Sequence, residues 1–377
     1  MSNGILEKSV TADESSLDTS RLEQRAYSEE ILSEYERSTR KNLFFILILA
    51  GAIIITALIA VTIGPLDISI IDSYKIIFSH IVSGGSARTG TIADNAVWLV
   101  RLPRVLAGIL TGFGLGIAGG VMQPLLKNPM ASPFTLGIST SAGFGASLAI
   151  AFGAVIGIST VSVVASAFFF SMLSIVIILL ISRWKNAAPQ VIILTGISIS
   201  YLFNAGISIL QYFVDPIYTK EMTLWMTGSL YKGSWDNLKY IFPLILIISL
   251  YLIVKSKDLN AISSGDEVAK SIGINLKRTR ISLLVASAVI TATLVSFMGT
   301  IGFVGLVAPH MVRMIIGGDN RFVVIGSGLA GALLIIISDI IALHAMTPIV
   351  LPIGIITTVM GVPLFLYLIL KMMKGNL

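Results

Sequence analysis

Cysteine is absent from this sequence and charge is scarce. With no thiol there is no disulfide framework, no thiolate metal site and no cysteine nucleophile, and the redox state of the compartment is unreadable. The three histidines, His80, His310 and His344, stand far apart and outside any HxxxH or HExxH spacing, so no protein-bound transition metal is expected. Charged residues make up 12% of the chain and hydrophobic ones 55%, whereas a soluble domain usually carries about 25% charged side chains. Too little polar surface exists to cover a water-soluble interior, and apolar runs of roughly 18–22 residues recur along nearly the whole chain. The implied solvent is lipid.

An energy source is missing as well. No GxxxxGK[ST] segment occurs, so the chain has no P-loop to cradle nucleotide phosphates. Val82-Ser83-Gly84-Gly85-Ser86 is read as a flexible turn in a loop. Ion-coupled carriers place an ionisable group near mid-depth, where a charge is costly and kept only for work. The only carboxylate inside a predicted span is Asp339, near the outer end of the ninth. No Ser-Lys, Asp-Asp or His-Glu constellation appears within the spans, so no catalytic residue and no cofactor is assigned to this chain.

What is present is strongly patterned. Residues 1–42 hold nine acidic and six basic side chains, and although the net charge of the whole is +6, the remainder carries +9. In a membrane protein such an excess holds loops in the cytoplasm; nucleic acid is not an expected partner. The first 42 residues lack a secretory apolar core and end in Arg37, Arg40 and Lys41 before the run from Leu43. They read as a polar cytoplasmic tail, solvated or with a short charged helix over Tyr27–Tyr35, and the solvated state is favoured. Residues 43–377 then form an all-α polytopic domain. Its predicted spans are 43–63, 103–124, 132–155, 159–181, 190–213, 239–255, 281–299, 302–316, 322–344 and 352–371, the eighth being short.

With the tail inside, loop Lys and Arg split 16 inside to 7 outside, the direction of the positive-inside bias, and both termini fall in the cytoplasm. The inner set includes Lys127, Arg183, Lys185, Lys270, Arg280, Arg313 and Lys374; Arg88, Arg101, Arg104 and Lys232 are among the outer ones. In the outer segment 214–238, Asp215-Pro216 precedes a short surface helix over Thr219–Leu230, with Trp225, Tyr231 and Trp235 expected at headgroup depth.

Four local patterns suggest sites. Gly108, Gly112, Gly116 and Gly120 share one face of the second span, a face suited to close helix packing; Gly326, Ser327 and Gly331 offer a similar surface. Tyr201, Asn204, Ser208 and Gln211 share a face of the fifth span, either lining a translocation path or bonding to a neighbouring helix. In the inner loop at about 256–280, Ser264-Gly-Asp-Glu267 has capping-box spacing, Val268, Ala269 and Ile272 form an apolar stripe, and Gly273 is placed to end the helix. That short amphipathic helix is either a docking device or an ordinary loop helix. Met122, Gln123, His310 and Met311 are read as packing residues.

The order of segments resembles a known family. Arg101-Leu-Pro-Arg104, Gly119-Gly-Val-Met-Gln123 with Asn128-Pro129, Leu259-Asn260-Ala261 with Ser264-Gly-Asp-Glu267 and Gly273, Gly302-Phe-Val-Gly-Leu-Val-Ala-Pro-His-Met-Val-Arg313, and Leu351-Pro-Ile-Gly354 with Gly361-Val-Pro363 are similar to the FecCD/BtuC-type permeases. These are the membrane subunits of ABC importers for ferric siderophores, haem and vitamin B12. The resemblance implies a type II ABC importer fold of about ten helices in a prokaryotic plasma membrane. It also implies a second permease subunit, a cytoplasmic ATPase dimer carrying ATP and Mg, and an extracytoplasmic substrate-binding protein. Under it, Ser264, Asp266, Glu267, Val268 and Gly273 belong to the helix that couples to the ATPase, and Arg101, with Arg104 beside it, docks the binding protein. Where the family commonly has a second docking arginine, this chain has Leu343 followed by His344, so either a protonated His344 substitutes or the partner subunit or another basic residue supplies the contact.

Overall fold

The computed structural model describes residues 3–84, 90–156, 160–183, 188–346 and 349–373. Gly85, Ser86, Arg88, Lys185 and Lys374 lie outside them, as does the side chain of Arg183. Every regular element among the described residues is helical, apart from one isolated bridge between Met346 and Ile349.

Two units are distinguished along the chain, Met1–Leu47 and Ile48–Leu377. Helix α1 (Asn3–Thr62) supplies the whole of the first and opens the second. The tail is therefore helical from Asn3, neither a solvated coil nor a helix confined to Tyr27–Tyr35. The first proline of the chain is Pro65, and no glycine lies between Gly4 and Gly51. Nothing interrupts a helix already nucleated by the apolar part, and propagation costs far less than nucleation.

The second unit continues with α2 (Ile70–Val82), α3 (Ile92–Asp94), a π-helical stretch Asn95–Arg101, α4 (Leu102–Leu125), α5 (Ile138–Ile156) and α6 (Thr160–Arg183). Then come α7 (Pro189–Phe213), α8 (Pro216–Met226), α9 (Trp235–Val254), α10 (Ser256–Ser264), α11 (Asp266–Ser271) and α12 (Leu276–Met298). The chain closes with α13 (Val304–Ile316), α14 (Asn320–His344) and α15 (Ile353–Met373). Among the described residues seven helical stretches are long and apolar enough to cross a membrane, and α5, α13 and α15 are shorter apolar helices. Each matches one predicted span in order. The helical stretch through α4 starts at Ile92, earlier than the expected 103. Pro103 has no N–H to donate, and the π segment just before it absorbs the lost register.

α4 is the axis of the bundle, with 18 of its 24 residues buried. It packs against α9, α12, α13 and α14. α13 has 13 residues, about 20 Å of helix against the ~30 Å of a bilayer interior. Its irregular approach, 299–303, is tolerated because it is shielded by protein: Ile301 is buried, and the Ser229 N–H donates to the Met298 carbonyl at 2.7 Å.

Candidate functional site

Helix α11 does not start as the sequence suggested. Ser264 ends α10, and its hydroxyl donates back to the Asn260 carbonyl at 3.1 Å, so no capping box forms. Gly265 occupies the N-cap at φ +131, a conformation that favours glycine. The helix ends in a Schellman motif: the Gly273 N–H bonds the Lys270 carbonyl at 2.9 Å and the Ile274 N–H bonds that of Ala269 at 3.0 Å, with Gly273 at φ +85.

The residues of α11 divide into two faces. Ala269 is buried, so the apolar stripe is not continuous outside; Val268 and Ile272 are exposed. Glu267 also points outward and pairs with Lys270, at 2.8 Å. Asp266 points inward, accepting from Lys127 Nζ at 2.7 Å and from Arg280 Nη2 at 2.8 and 3.0 Å. The Lys127 ammonium, then the Arg280 guanidinium, hold this carboxyl below the usual carboxylate range despite partial burial. Asp266 thus ties α11 to the end of α4 through Lys127 and to α12 through Arg280.

Neighbouring polar bridges fasten the same end. Asn260 donates to Asp319 at 2.8 Å and accepts from the Asn320 N–H at 2.8 Å, joining α10 to the start of α14. Gln123 donates to the Leu306 carbonyl at 3.1 Å and accepts from Arg313, so it is a bridge between α4 and α13 rather than passive packing. Its spacing gave no sign of this. His310 is buried, edge-on to Phe365 at 6.0 Å, in keeping with a packing role.

At the opposite end the arginines are engaged internally. Arg101 is buried and donates to the carbonyls of Thr62 (2.7 Å) and Leu66, bracing the exit of α1. Arg104 is buried beneath Tyr231, 4.0 Å from its ring centroid, and forms a bidentate pair with Asp339. A surface ion pair from either arginine is therefore not available in this conformation. The lone carboxylate of a span needs a cation beside it, and that requirement was the signal for the Arg104 pair. His344 is exposed at the C-terminal turn of α14, its Nδ1 3.0 Å from the Ile340 carbonyl.

The expected surface helix is present as α8, capped by Asp215, whose side chain accepts from the Ile217 N–H. Trp225 is buried rather than interfacial, and Trp235 donates to the Trp98 carbonyl at 2.8 Å. Only Tyr231 keeps a half-exposed ring. The segment preceding α4 is itself organised, since His80 of α2 meets Asp94 at 2.7 Å and stacks on Trp98 at 4.3 Å.

Tyr201, Asn204 and Ser208 lie exposed on α7 and Gln211 is half-buried, while Ile199, Phe203 and Ile207 form the packed face of the same helix. The Ser208 hydroxyl is satisfied within α7 by the Asn204 carbonyl. The polar stripe thus faces away from the rest of the chain. The glycines of α4 face α14: a Cβ on Gly112 would lie 2.3 Å from the Gly331 oxygen, and one on Gly116 2.0 Å from the Ser327 oxygen. Gly108 and Gly120 meet side chains of Ile335 and Ser327 on the same partner, and Gly326 meets Val312 of α13.

Among the described residues no group of three or more His, Cys, Asp or Glu is placed to hold a metal ion. The sequence profile of the FecCD transport family matches residues 52–371. A protein of Methanocaldococcus jannaschii named as an ABC transporter permease is 38% identical over 92% of this chain and 99% of its own length. The hemin transport system permease protein of Yersinia pestis is 36% identical over 73% of this chain and 83% of its own. A solved chain described as an inward-facing conformation of a metal-chelate type ABC transporter superposes with a TM-score of 0.75 at 28% identity, covering 86% of this chain and 98% of that one. The profile match over most of the chain and the superposition at a TM-score of 0.75 agree, and the chain belongs to the FecCD transport family.

Proposed function

We propose that this protein is the permease subunit of an ABC importer that carries an iron chelate, a ferric siderophore foremost, across a prokaryotic plasma membrane. It works with a second permease subunit, a cytoplasmic ATPase dimer that binds ATP and Mg, and an extracytoplasmic binding protein. Haem or cobalamin is the alternative cargo. Both termini and the α10–α11 end lie in the cytoplasm, following the excess of Lys and Arg in those loops.

The observation that carries this reading is the two-faced α11. Its outer face offers Glu267, Val268 and Ile272 to a partner, and its inner face is latched by Asp266 to Lys127 and Arg280. A push on the outer face is passed to α4 and α12 together, which biases a transition between two packed states. Gly265 and Gly273 set the ends of that lever, and Ser264 closes α10 just before it. The exposed stripe from Tyr201 to Gln211 faces the path or the second subunit, because a polar face in lipid requires water or protein. Arg101 and Arg104 serve binding-protein docking by shaping the outer rim, with His344 the accessible basic group there. The competing reading, a carrier driven by an ion gradient, finds Asp339 already engaged by Arg104.

The test is uptake of ferric chelate into proteoliposomes that hold the permease with its ATPase and binding protein. Accumulation that needs ATP and survives an ionophore supports the proposal. Uphill accumulation by the permease alone under an ion gradient overturns it.

A further inference from the structure

A cavity of about 840 Å³ lies between α5, α6, α8, α9 and α12, and none of its lining residues belongs to α11 or to the α7 stripe. One wall is apolar, with Ile150, Val163 and Phe297, and the other carries Lys232, Glu221 and Trp225. Such a volume exceeds by many times the share of a single water molecule. The Lys232 Nζ is buried and makes no hydrogen bond among the described residues. It stands 5.0 Å from the Trp225 ring, and that contact satisfies charge but none of the three N–H donors. Burial pushes this ammonium down to about 8, against the pull of Glu221. Three unmet donors beside an open volume favour an occupant that brings anionic oxygens.

The position of the cavity says what bears those oxygens. Lys232 precedes by three residues the helix Trp235–Val254, which is long and apolar enough to span a membrane, so its ammonium sits at headgroup depth. Tyr240, which also lines the cavity, is 71% exposed on the outward side of α9. The cavity therefore opens at the surface of the chain beside an apolar span, and an occupant charged at one end and apolar at the other fits its two walls. We infer that this cavity is a phospholipid site, with the lipid phosphate on Lys232 and an acyl chain along Ile150, Val163 and Phe297. This rests on the membrane location of the chain and not on the choice of cargo.

The occupant bridges α8 and α9 to α5 and α6, so binding stabilises that grouping, with the logarithm of free lipid once the site is filled. The experiment is native mass spectrometry of the full-length purified permease, titrated in detergent with phosphatidylglycerol, with diacylglycerol lacking phosphate, and with soluble glycerol phosphate. Expected are one retained phosphatidylglycerol, no retained diacylglycerol, roughly tenfold weaker retention in Lys232→Met, and recovery in Lys232→Arg, the size of one lost charge-assisted contact. Val163→Trp, which fills the apolar arm and keeps the charge, is expected to lose the lipid too, and it decides the matter should Lys232→Met fail to fold. Equal retention in the charge-removed or cavity-filled variant overturns the site. Glycerol phosphate that binds as tightly as the lipid, or ferric chelate that displaces the lipid, reassigns the cavity to a soluble anion and also overturns it.

Discussion

Arg104 and Asp339, 235 residues apart in sequence, clasp each other at 2.6–3.1 Å at the end of the α4–α14 pair away from α11. Both side chains are almost wholly enclosed, at 6% and 4% exposure. Removing one partner strands a buried charge, which costs about 3–5 kcal/mol. Arg104→Met alone is therefore expected to lower the melting temperature sharply. The double variant Arg104→Met with Asp339→Leu should regain most of the loss, because apolar replacement of a buried pair is often neutral. Thermal unfolding of the three proteins in one detergent measures the difference; equal stability of the single and double variants would refute this account.

Gly112 and Gly116 touch the α14 backbone itself, with no flexible side chain available to move aside. Gly112→Leu and Gly116→Leu should each cost more than the ~1–3 kcal/mol typical of overpacking and sharply reduce folded yield. Gly51→Leu, where a Cβ meets nothing within 4 Å, is the matched control and should leave the yield unchanged. Size-exclusion profiles at equal expression report the outcome.

The two faces of α11 predict separable defects. Val268→Asp together with Ile272→Asp should weaken association with the ATPase about tenfold or more while the permease keeps its melting temperature. Asp266→Asn should leave association intact yet lower transport per ATP hydrolysed, since the lever then slips against Lys127 and Arg280. Pull-down of the ATPase and coupled transport measurements separate the two, and identical phenotypes would show that the faces do not act independently.

Acid tests the same latch. The Asp266 carboxyl is held low by Lys127 first and Arg280 second, so its contribution is fully present above the unfolded carboxylate value of about 3.9. That contribution disappears as pH falls through the lower folded value. Its size is modest, because the side chain is 37% exposed and salt screens it. Hydrogen exchange of α11 amides, corrected for intrinsic rate, should stay flat from pH 8 to 5 and rise only below about 4.

The ten apolar helices were legible because each is an apolar run, and lipid leaves such a run no better choice than a helix. The glycine face was legible for a similar reason, as spacing alone puts small residues in line. Side-chain direction at the polar ends was not. Asp266 and Glu267 are adjacent and chemically alike, and only the folded positions of Lys127 and Arg280 decide that one turns in and the other out. Ser264 had the spacing of a cap, but α10 continues through it and uses its hydroxyl. Arg101 was taken for a surface residue because its partners are backbone carbonyls at Thr62 and Leu66, which carry no side-chain signature.

Main chain pressed on main chain along α4 and α14 leaves no room for one rod to slip past the other, since any sliding would drive a side chain into a carbonyl where glycine now sits. The pair is a single stiff keel, and the transition between two packed states that we propose has to be sought in the helices hung around it.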